Sequence, residues 1–140
     1  KWGDWLLTPC RIYAPAVVNL HHAHIDLRGL SHVTGGGFPS KFGRTLRASN
    51  LGANLETLFA PEPFLEPLCA WGAVASEEAY RQWNMSNGFL VIVPDKDVHR
   101  ALTLLGAASH RAQLAGYVTK EPVLRIRTKN ETLNYPLSES

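Results

Sequence analysis

The stretch SHVTGGGF, residues 31–38, decides how the first half of the chain folds, because three consecutive glycines follow an apolar segment. Glycine loses the most backbone freedom on folding, so an ordered triplet needs a physical reason. The preceding residues predict a short strand, and residues 39–49 predict a short helix with basic side chains. Two explanations stay open: amides that approach an anion at a helix start, or a tight turn that needs positive φ.

Composition narrows the class of protein. The chain has 140 residues, 45% of them apolar and 19% charged, with a net charge of +2, which is typical of one globular domain and not of a nucleic-acid-binding protein. No apolar run approaches the roughly 20 residues that span a membrane. Cys10 and Cys69 lie far apart without metal-binding spacing, which favours reduced thiols and a cytoplasmic location.

Hydrophobic patterning predicts an α+β fold: a mixed sheet of about four to five strands packed with helices, in one domain over residues 1–128. The run at 88–94 is the clearest strand, of the fully buried kind, and 95–108 is the clearest helix. Further helices are predicted at 14–24, 61–72 and 76–83. Further strands are predicted at 4–13, at 52–59, and at 112–118 and 122–128, which a turn joins; residues 129–140 are predicted to be a frayed polar tail.

Side chains near the glycines suggest chemistry. Thr34 supplies a hydroxyl, and Lys41 or Arg44 supplies a positive charge for an anion bound there. His32 is a candidate general acid or base, against the alternative of a hydrogen-bonded structural residue. The cluster at residues 21–24 holds three histidines, but without a nearby carboxylate or cysteine it indicates a solvated helix end and no metal site.

Two further polar segments are open to a functional and a structural interpretation. Arg81 and Asn84 share a face if they are helical, so they form either a polar substrate site before the strong strand or an ordinary helix end. Arg11 and Tyr13, beside Thr8 and Pro9, are either part of such a site or edge-strand surface.

Four stretches in the same order and spacing resemble the C-terminal half of aminoimidazole ribonucleotide (AIR) synthetase, also called phosphoribosylformylglycinamidine cyclo-ligase. They are GDWLLTPCRIY, GLSHVTGGGF with Arg44 six residues after Phe38, PEPFLEPLCAWGAVASEEAYRQWNM, and GFLVIVP. The family's hallmarks there are Leu-Thr-Pro-Thr-Arg-Ile-Tyr, His-Ile-Thr-Gly-Gly-Gly and Tyr-Arg-Thr-Phe-Asn-Met-Gly. The resemblance covers roughly residues 2–127, and several motifs in register make it more specific than the glycines alone.

The resemblance implies a function in purine biosynthesis. The family closes an imidazole ring: formylglycinamidine ribonucleotide and ATP give aminoimidazole ribonucleotide, ADP and phosphate. An N-terminal domain supplies most of the ATP and Mg²⁺ site, and the C-terminal domain helps hold the phosphoribosyl substrate. The backbone amides of the three glycines would then lie against a phosphate group, with no side chains between them. The residues that the resemblance places around the phosphate are Thr34, Gly35, Gly36, Gly37 and Arg44. Polar side chains that would line the rest of the substrate site, called the polar wall below, are those of Thr8, Arg11, Arg81 and Asn84. His32 is the candidate catalytic residue.

The chain also departs from the family pattern. The ATP-binding half is absent, together with the His-Ser-Asn-Gly-Tyr-Ser segment that normally opens the C-terminal half. Lys41 and Gly43 stand where the family has Asn and Pro, and Cys10 stands for the second Thr of Thr-Pro-Thr. The family's Met-Gly-Val-Gly becomes Met85-Ser86-Asn87-Gly88. These changes favour retention of the fold and inactivity of the chain alone, without a cofactor of its own.

Two hypotheses follow. In the first, the chain is part of a cyclo-ligase whose catalysis needs an N-terminal AIR synthetase domain in cis or in trans. In the second, it is a free-standing, non-catalytic relic that oligomerises, as a homodimer for example, or binds a phosphorylated metabolite. Related ATP-dependent enzymes such as selenophosphate synthetase share the fold more than the motifs. Neither nucleic acid nor a membrane is an expected partner.

Overall fold

The computed structural model describes residues 2–108 and 110–137, and this part of the chain is α+β. The elements in chain order are α1 (Trp2–Leu6), α2 (Ala14–His22), β1 (Gly29–His32), α3 (Gly37–Arg47), β2 (Gly52–Leu55), α4 (Leu65–Trp71), α5 (Ser76–Gln82), β3 (Phe89–Ile92), a 3₁₀ turn (Asp95–Asp97), α6 (Val98–Ala107), β4 (Gly116–Thr119), β5 (Val123–Arg127) and β6 (Thr132–Pro136).

The larger sheet is mixed, as the patterning predicts. Its strand order is β4-β2-β5-β6, with β2 parallel to β5 and the other neighbours antiparallel. Leu124 of β5 lies between Ala53 of β2 and Tyr135 of β6 in register. Because side chains alternate across a strand, these residues share one face, and all three are buried.

Helices α3 and α5 cover that face. Phe38, Phe42 and Leu46 follow one another at four-residue spacing along α3, and all three are buried in the main core. Tyr80 joins them from α5, with its ring centroid 5.7 Å from that of Phe38. The helix that follows the glycines is therefore held by its apolar stripe.

A second, smaller layer contains the strands β1 and β3, which pair antiparallel. Helices α2 and α6 pack on this pair through a separate cluster around Leu20, Ile25 and Ala101. Strand β3 is where the sequence predicts it, but each of its residues is only half-buried. The expectation of a fully buried strand is wrong, because β1 is its one partner in the described chain and a groove runs along it.

The predicted strand at 4–13 is wrong. Residues 2–6 form the single-turn helix α1, and the rest of the segment is irregular. The Thr8 hydroxyl donates to the Asp4 carbonyl oxygen at 3.0 Å, and Pro9 follows, which cannot continue a helix. The Trp5 ring stacks on the Phe64 ring, with their centroids 5.3 Å apart. A tertiary contact therefore determines the conformation of this short segment.

One expectation at the C-terminal end is also wrong. Strands β4 and β5 follow one another through a short connection, as the sequence predicts, and β2 lies between them in the sheet. Residues 132–136 are not frayed: they form strand β6, with Leu133, Tyr135 and Leu137 buried in the main core. The alternation of these apolar residues with polar ones is the signal for a strand with one buried face. Residues 138–140 of the predicted tail lie outside the described residues.

Candidate functional site

The glycine bend joins β1 to the start of α3. The Gly36 amide donates to the carbonyl oxygen of Gln82 at 3.2 Å, and the Gly37 amide donates to that of Thr34 at 3.0 Å. The expectation of three bare amides is therefore wrong for these two glycines. Their hydrogen bonds attach the bend to the end of α5 and close it on itself.

Backbone conformation and close packing explain the same two glycines. Gly36 has a φ of 89° and Gly37 a φ of 53°, a region that side chains disfavour. A Cβ on Gly37 would overlap the carbonyl oxygen of Tyr80 and lie 2.7 Å from the carbonyl carbon of Arg81. The tight-turn explanation is thus the one that Gly36 and Gly37 satisfy.

Gly35 differs from its two neighbours. It is exposed, a Cβ built on it would meet nothing within 4 Å, and its φ is outside the left-handed region. Among the described residues, no acceptor pairs with its amide. Thr34 beside it is exposed as well, so one amide and one hydroxyl face solvent directly before α3.

The start of α3 is electrostatically positive. The helix has eleven residues and no acidic residue in its first turn. Lys41 and Arg44 come four and seven positions after Gly37, so they share a face of the helix. Within residues 2–108 and 110–137, neither side chain has a carboxylate partner. Arg44 belongs to the last turn of the helix, so Lys41 is the cation nearer to the start, and its charge would add to the helix dipole to attract an anion.

A groove of ≈ 1390 Å³ separates the β1–β3 layer from β2 and β4. Its walls are largely apolar and include β3, α6 and the core face of β2. Thr8, Arg11 and Asn84, three of the residues expected in a polar wall, are among the residues that line this groove. The glycine bend and Arg44 are not among its lining residues.

Tyr13 is the centre of an aromatic cluster beside the groove. Its ring centroid lies 5.0 Å from that of Phe89, 5.5 Å from His32 and 5.8 Å from His110. A Cβ on Gly88 would overlap the Tyr13 hydroxyl, so that glycine makes room for the phenol. Burial raises the pKa of Tyr13, and the nearby Arg11 guanidinium opposes the shift. His32 is exposed on β1 and reaches this cluster, away from the bend.

Arg81 contacts the glycine bend through its backbone only, and its side chain is engaged elsewhere. Its guanidinium pairs with Glu77 at 2.7 Å and Glu78 at 3.5 Å, and it lies 5.2 Å from the centroid of the Tyr135 ring. Asn84 also uses its side chain locally, because its Oδ1 accepts the Ser86 amide at 3.0 Å. Both are consistent with the helix-end alternative that the sequence left open.

Sequence reasoning missed Asn87. This buried side chain accepts the Phe59 amide at 2.8 Å and donates to the carbonyl oxygens of Phe59 and Met85 at 3.1 and 2.7 Å. Ser86 adds a bond, since its Oγ accepts the Glu62 amide at 2.8 Å. The signal was present, because these two residues stand where the resembled family has Gly-Val.

Arg111 was also missed. Its guanidinium carbon lies 4.7 Å from the centroid of the Phe59 ring, and both residues line the groove. Asn87 thereby holds the segment on which Arg111 rests. No group of three or more His, Cys, Asp and Glu in the described part of the chain is arranged to hold a metal ion, and no helix there is long and apolar enough to cross a membrane.

Comparison with known proteins identifies the family. Residues 1–129 match the sequence profile described as AIR synthase related protein, C-terminal domain. The chain belongs to this family. It is 37% identical over 126 residues to phosphoribosylformylglycinamidine cyclo-ligase of Thermococcus gammatolerans, covering 90% of this chain and 35% of that protein. Against the enzyme of the same name from Methanothermobacter thermautotrophicus, identity is 38% over 108 residues, covering 77% and 31%.

Two solved structures share the fold. The structure of T. maritima PurL complexed with ATP superposes with a TM-score of 0.63 and 20% identity, covering 88% of this chain and 20% of that one. E. coli HypE, a hydrogenase maturation protein, superposes with a TM-score of 0.68 and 16% identity, covering 92% and 40%. The AIR-synthetase C-terminal type of fold is confirmed. The chain spans about a third of the length of the curated relatives.

Proposed function

We propose that this chain is the substrate-holding C-terminal part of a cyclo-ligase of purine biosynthesis. Its family and the names of its curated relatives support this function. In the reaction, formylglycinamidine ribonucleotide and ATP give aminoimidazole ribonucleotide, ADP and phosphate. The chain's own task is to bind the phosphoribosyl group, which is an anion with a polar ring. The expected cytoplasmic location stays a prediction.

One observation carries the proposal: the start of α3 combines an exposed, unpaired amide at Gly35 with a positive helix end. Thr34 adds a hydroxyl donor, and Arg44 and Lys41 add charge without competing carboxylates. A phosphate monoester is the ligand class that this arrangement fits, because it accepts several hydrogen bonds and carries negative charge. Gly36 and Gly37 contribute by fixing the bend, and their amides are occupied.

The groove supplies a second set of contacts. Thr8, Arg11 and Asn84 line it, and His32 lies at the adjoining aromatic cluster. We assign these residues to the wall around the rest of the substrate. Arg81, whose side chain is paired with two glutamates of its own helix, would act indirectly through its backbone, which packs against Gly37 of the bend.

ATP and Mg²⁺ would be held elsewhere in a complete enzyme. Among the described residues, no group of three or more His, Cys, Asp and Glu is arranged to hold a metal ion, and we assign no magnesium site to them. We expect an N-terminal ATP-binding domain, in cis or in trans, to supply it. The isolated chain should therefore bind a phosphoribosyl compound and hydrolyse no ATP.

Exposed apolar side chains support the second hypothesis, an oligomerising module. Leu7 is 83% exposed and Ile12 is 74% exposed, although both are large and apolar. Light scattering during size-exclusion chromatography separates the cases. A homodimer that binds no phosphate ester would favour the module, whereas a monomer that binds one would favour the substrate-holding part.

Calorimetric titration of the 140-residue chain with ribose 5-phosphate tests the proposal. We expect weak binding, and we expect Arg44→Gln to weaken it by up to about fivefold, because an exposed ion pair contributes about 0.2–1 kcal/mol. Arg100→Gln on α6 is the matched control and should leave the affinity unchanged. Absence of binding heat, or equal losses in both variants, would refute a phosphate site at α3. Gly36→Val is a poor test, because its side chain would disturb the bend.

A further inference from the structure

Strand β6 carries a side chain that reaches α5, the helix on which the glycine bend rests. The family match ends at residue 129, so β6 lies beyond the matched stretch. Tyr135 of β6 is 2% exposed, and its hydroxyl donates to the carbonyl oxygen of Glu77 in the first turn of α5 at 2.8 Å. A hydrogen bond has a preferred distance and direction, so this bond limits the sliding of α5 over the sheet more than apolar contacts do.

Tyr135 also contacts the other end of α5. The guanidinium carbon of Arg81 lies 5.2 Å from the centroid of the Tyr135 ring, and Arg81 belongs to the last turn of the helix. Glu77 and Arg81 are four residues apart, which is about 6 Å along the axis of an α-helix. One buried side chain therefore contacts both turns of this short helix.

The last turn of α5 holds the glycine bend. The carbonyl oxygen of Gln82 accepts the Gly36 amide at 3.2 Å. A Cβ on Gly37 would overlap the Tyr80 carbonyl oxygen, so the two backbones lie in direct contact there. A displacement of α5 would therefore move Gly36 and Gly37, and with them the exposed amide of Gly35.

The residue that follows β6 contacts α3 in the same way. Leu137 is buried, and its Cδ2 lies 2.8 Å from the position of a Cβ built on Gly43, which is buried in α3. The Leu137 amide donates to the carbonyl oxygen of Pro122 at 2.8 Å, which fixes it beside the start of β5. Residues 132–137 thus pack against both helices next to the bend, α5 through Tyr135 and α3 through Leu137.

We infer that Tyr135 is a positioning residue for the phosphate site at the start of α3. The inference rests on the proposed function, because that function supplies the phosphate monoester. The Tyr135 hydroxyl and ring fix α5, and α5 fixes the bend so that the Gly35 amide and the Thr34 hydroxyl meet the same anion. Tyr135 touches no substrate itself, because it is buried in the main core.

Tyr135→Phe tests the inference, because it removes the hydroxyl and keeps the ring. In the isotopically labelled 140-residue chain, the Gly36 amide should exchange with solvent about fivefold to tenfold faster, the factor expected from the loss of one neutral hydrogen bond. The Gly35 amide resonance of the free chain should shift, and the affinity for ribose 5-phosphate should fall about threefold.

Leu20→Val is the matched control, since Leu20 is buried in the separate cluster that joins α2 and α6. It should also lower the urea midpoint of unfolding, but it should leave the Gly35 resonance and the affinity unchanged. Equal acceleration of Gly36 exchange in both variants would overturn the inference, and so would an affinity of Tyr135→Phe equal to that of the parent chain. The exchange comparison needs no ligand, so failure of the positioning role is distinguishable from failure of phosphate binding.

Discussion

The Gly36 amide donates to the Gln82 carbonyl oxygen at 3.2 Å, and this bond joins the glycine bend to the last residue of α5. It assigns different tasks to neighbouring glycines. Gly36 and Gly37 allow α3 and α5 to approach each other, whereas Gly35 remains exposed with a free amide. Packing and anion binding are thus adjacent in one short bend, and mutation can separate them.

The first prediction concerns Gly37. Its φ is 53°, and the Cβ of an alanine would overlap the backbone of α5. Gly37→Ala should lower the free energy of unfolding by about 2–4 kcal/mol, from backbone strain and steric overlap together. Urea denaturation measures this change. Gly35→Ala is the control, with an expected change below about 1 kcal/mol because its Cβ meets open space. Equal effects at the two positions would contradict the assignment.

The second prediction concerns Asn87, which makes three side-chain hydrogen bonds to Phe59 and Met85. Asn87→Ala would leave buried backbone groups unpaired and should cost about 2–4 kcal/mol of unfolding free energy. Asn19→Ala, at an exposed position of α2, should be nearly neutral. If the midpoint of thermal unfolding falls equally in both variants, the bonds from Asn87 to Phe59 and Met85 do not contribute to stability.

Sequence patterning identified the elements that carry long apolar stripes. It failed for the segments whose secondary structure or strand pairing is determined by contacts between residues far apart in the sequence. Helix α3 could be predicted because Phe38, Phe42 and Leu46 repeat every four residues. Strand β6 was missed because it lies in a segment rich in polar residues, although Leu133, Tyr135 and Leu137 alternate correctly. No local pattern specifies that β2 separates β4 from β5, since pairing depends on the whole chain.

The candidate site shows the same limit. The glycines and Arg44 were visible as a motif, but the Gly36 amide is occupied by Gln82, which only the fold brings close, and the Gly37 amide is occupied by Thr34 within the bend. Arg81 was selected for its spacing from Asn84, whereas its carboxylate partners lie one turn earlier on the same helix. The role of Asn87 depends on a segment 28 residues away, so no local spacing reveals it.

The third prediction concerns alkaline pH. Burial raises the pKa of Tyr135 well above its usual value, and the Glu77 carboxylate adds to the shift while Arg81 opposes it. A folded-state pKa above the unfolded value of about 10 gives stability that is full below pH 10 and declines as pH rises further. The unfolding free energy should therefore fall above pH 10.

Tyr135→Phe isolates this contribution. The variant loses the 2.8 Å bond from the Tyr135 hydroxyl to the Glu77 carbonyl oxygen, so it should be less stable at neutral pH. Its decline between about pH 9.5 and 11 should nevertheless be shallower than that of the parent chain. Parallel curves for the parent and Tyr135→Phe would contradict this account.

The central claim is that a sugar phosphate binds at the start of α3, and a nuclear magnetic resonance titration tests it most directly. Ribose 5-phosphate is added to the isotopically labelled chain, and the amide resonances are followed. We predict that the largest saturable shifts fall on Gly35 and its neighbours Thr34 and Phe38, and that Arg44→Gln reduces the affinity. Saturable shifts confined to the groove, or none at Gly35 with ligand in large excess, would contradict the claim.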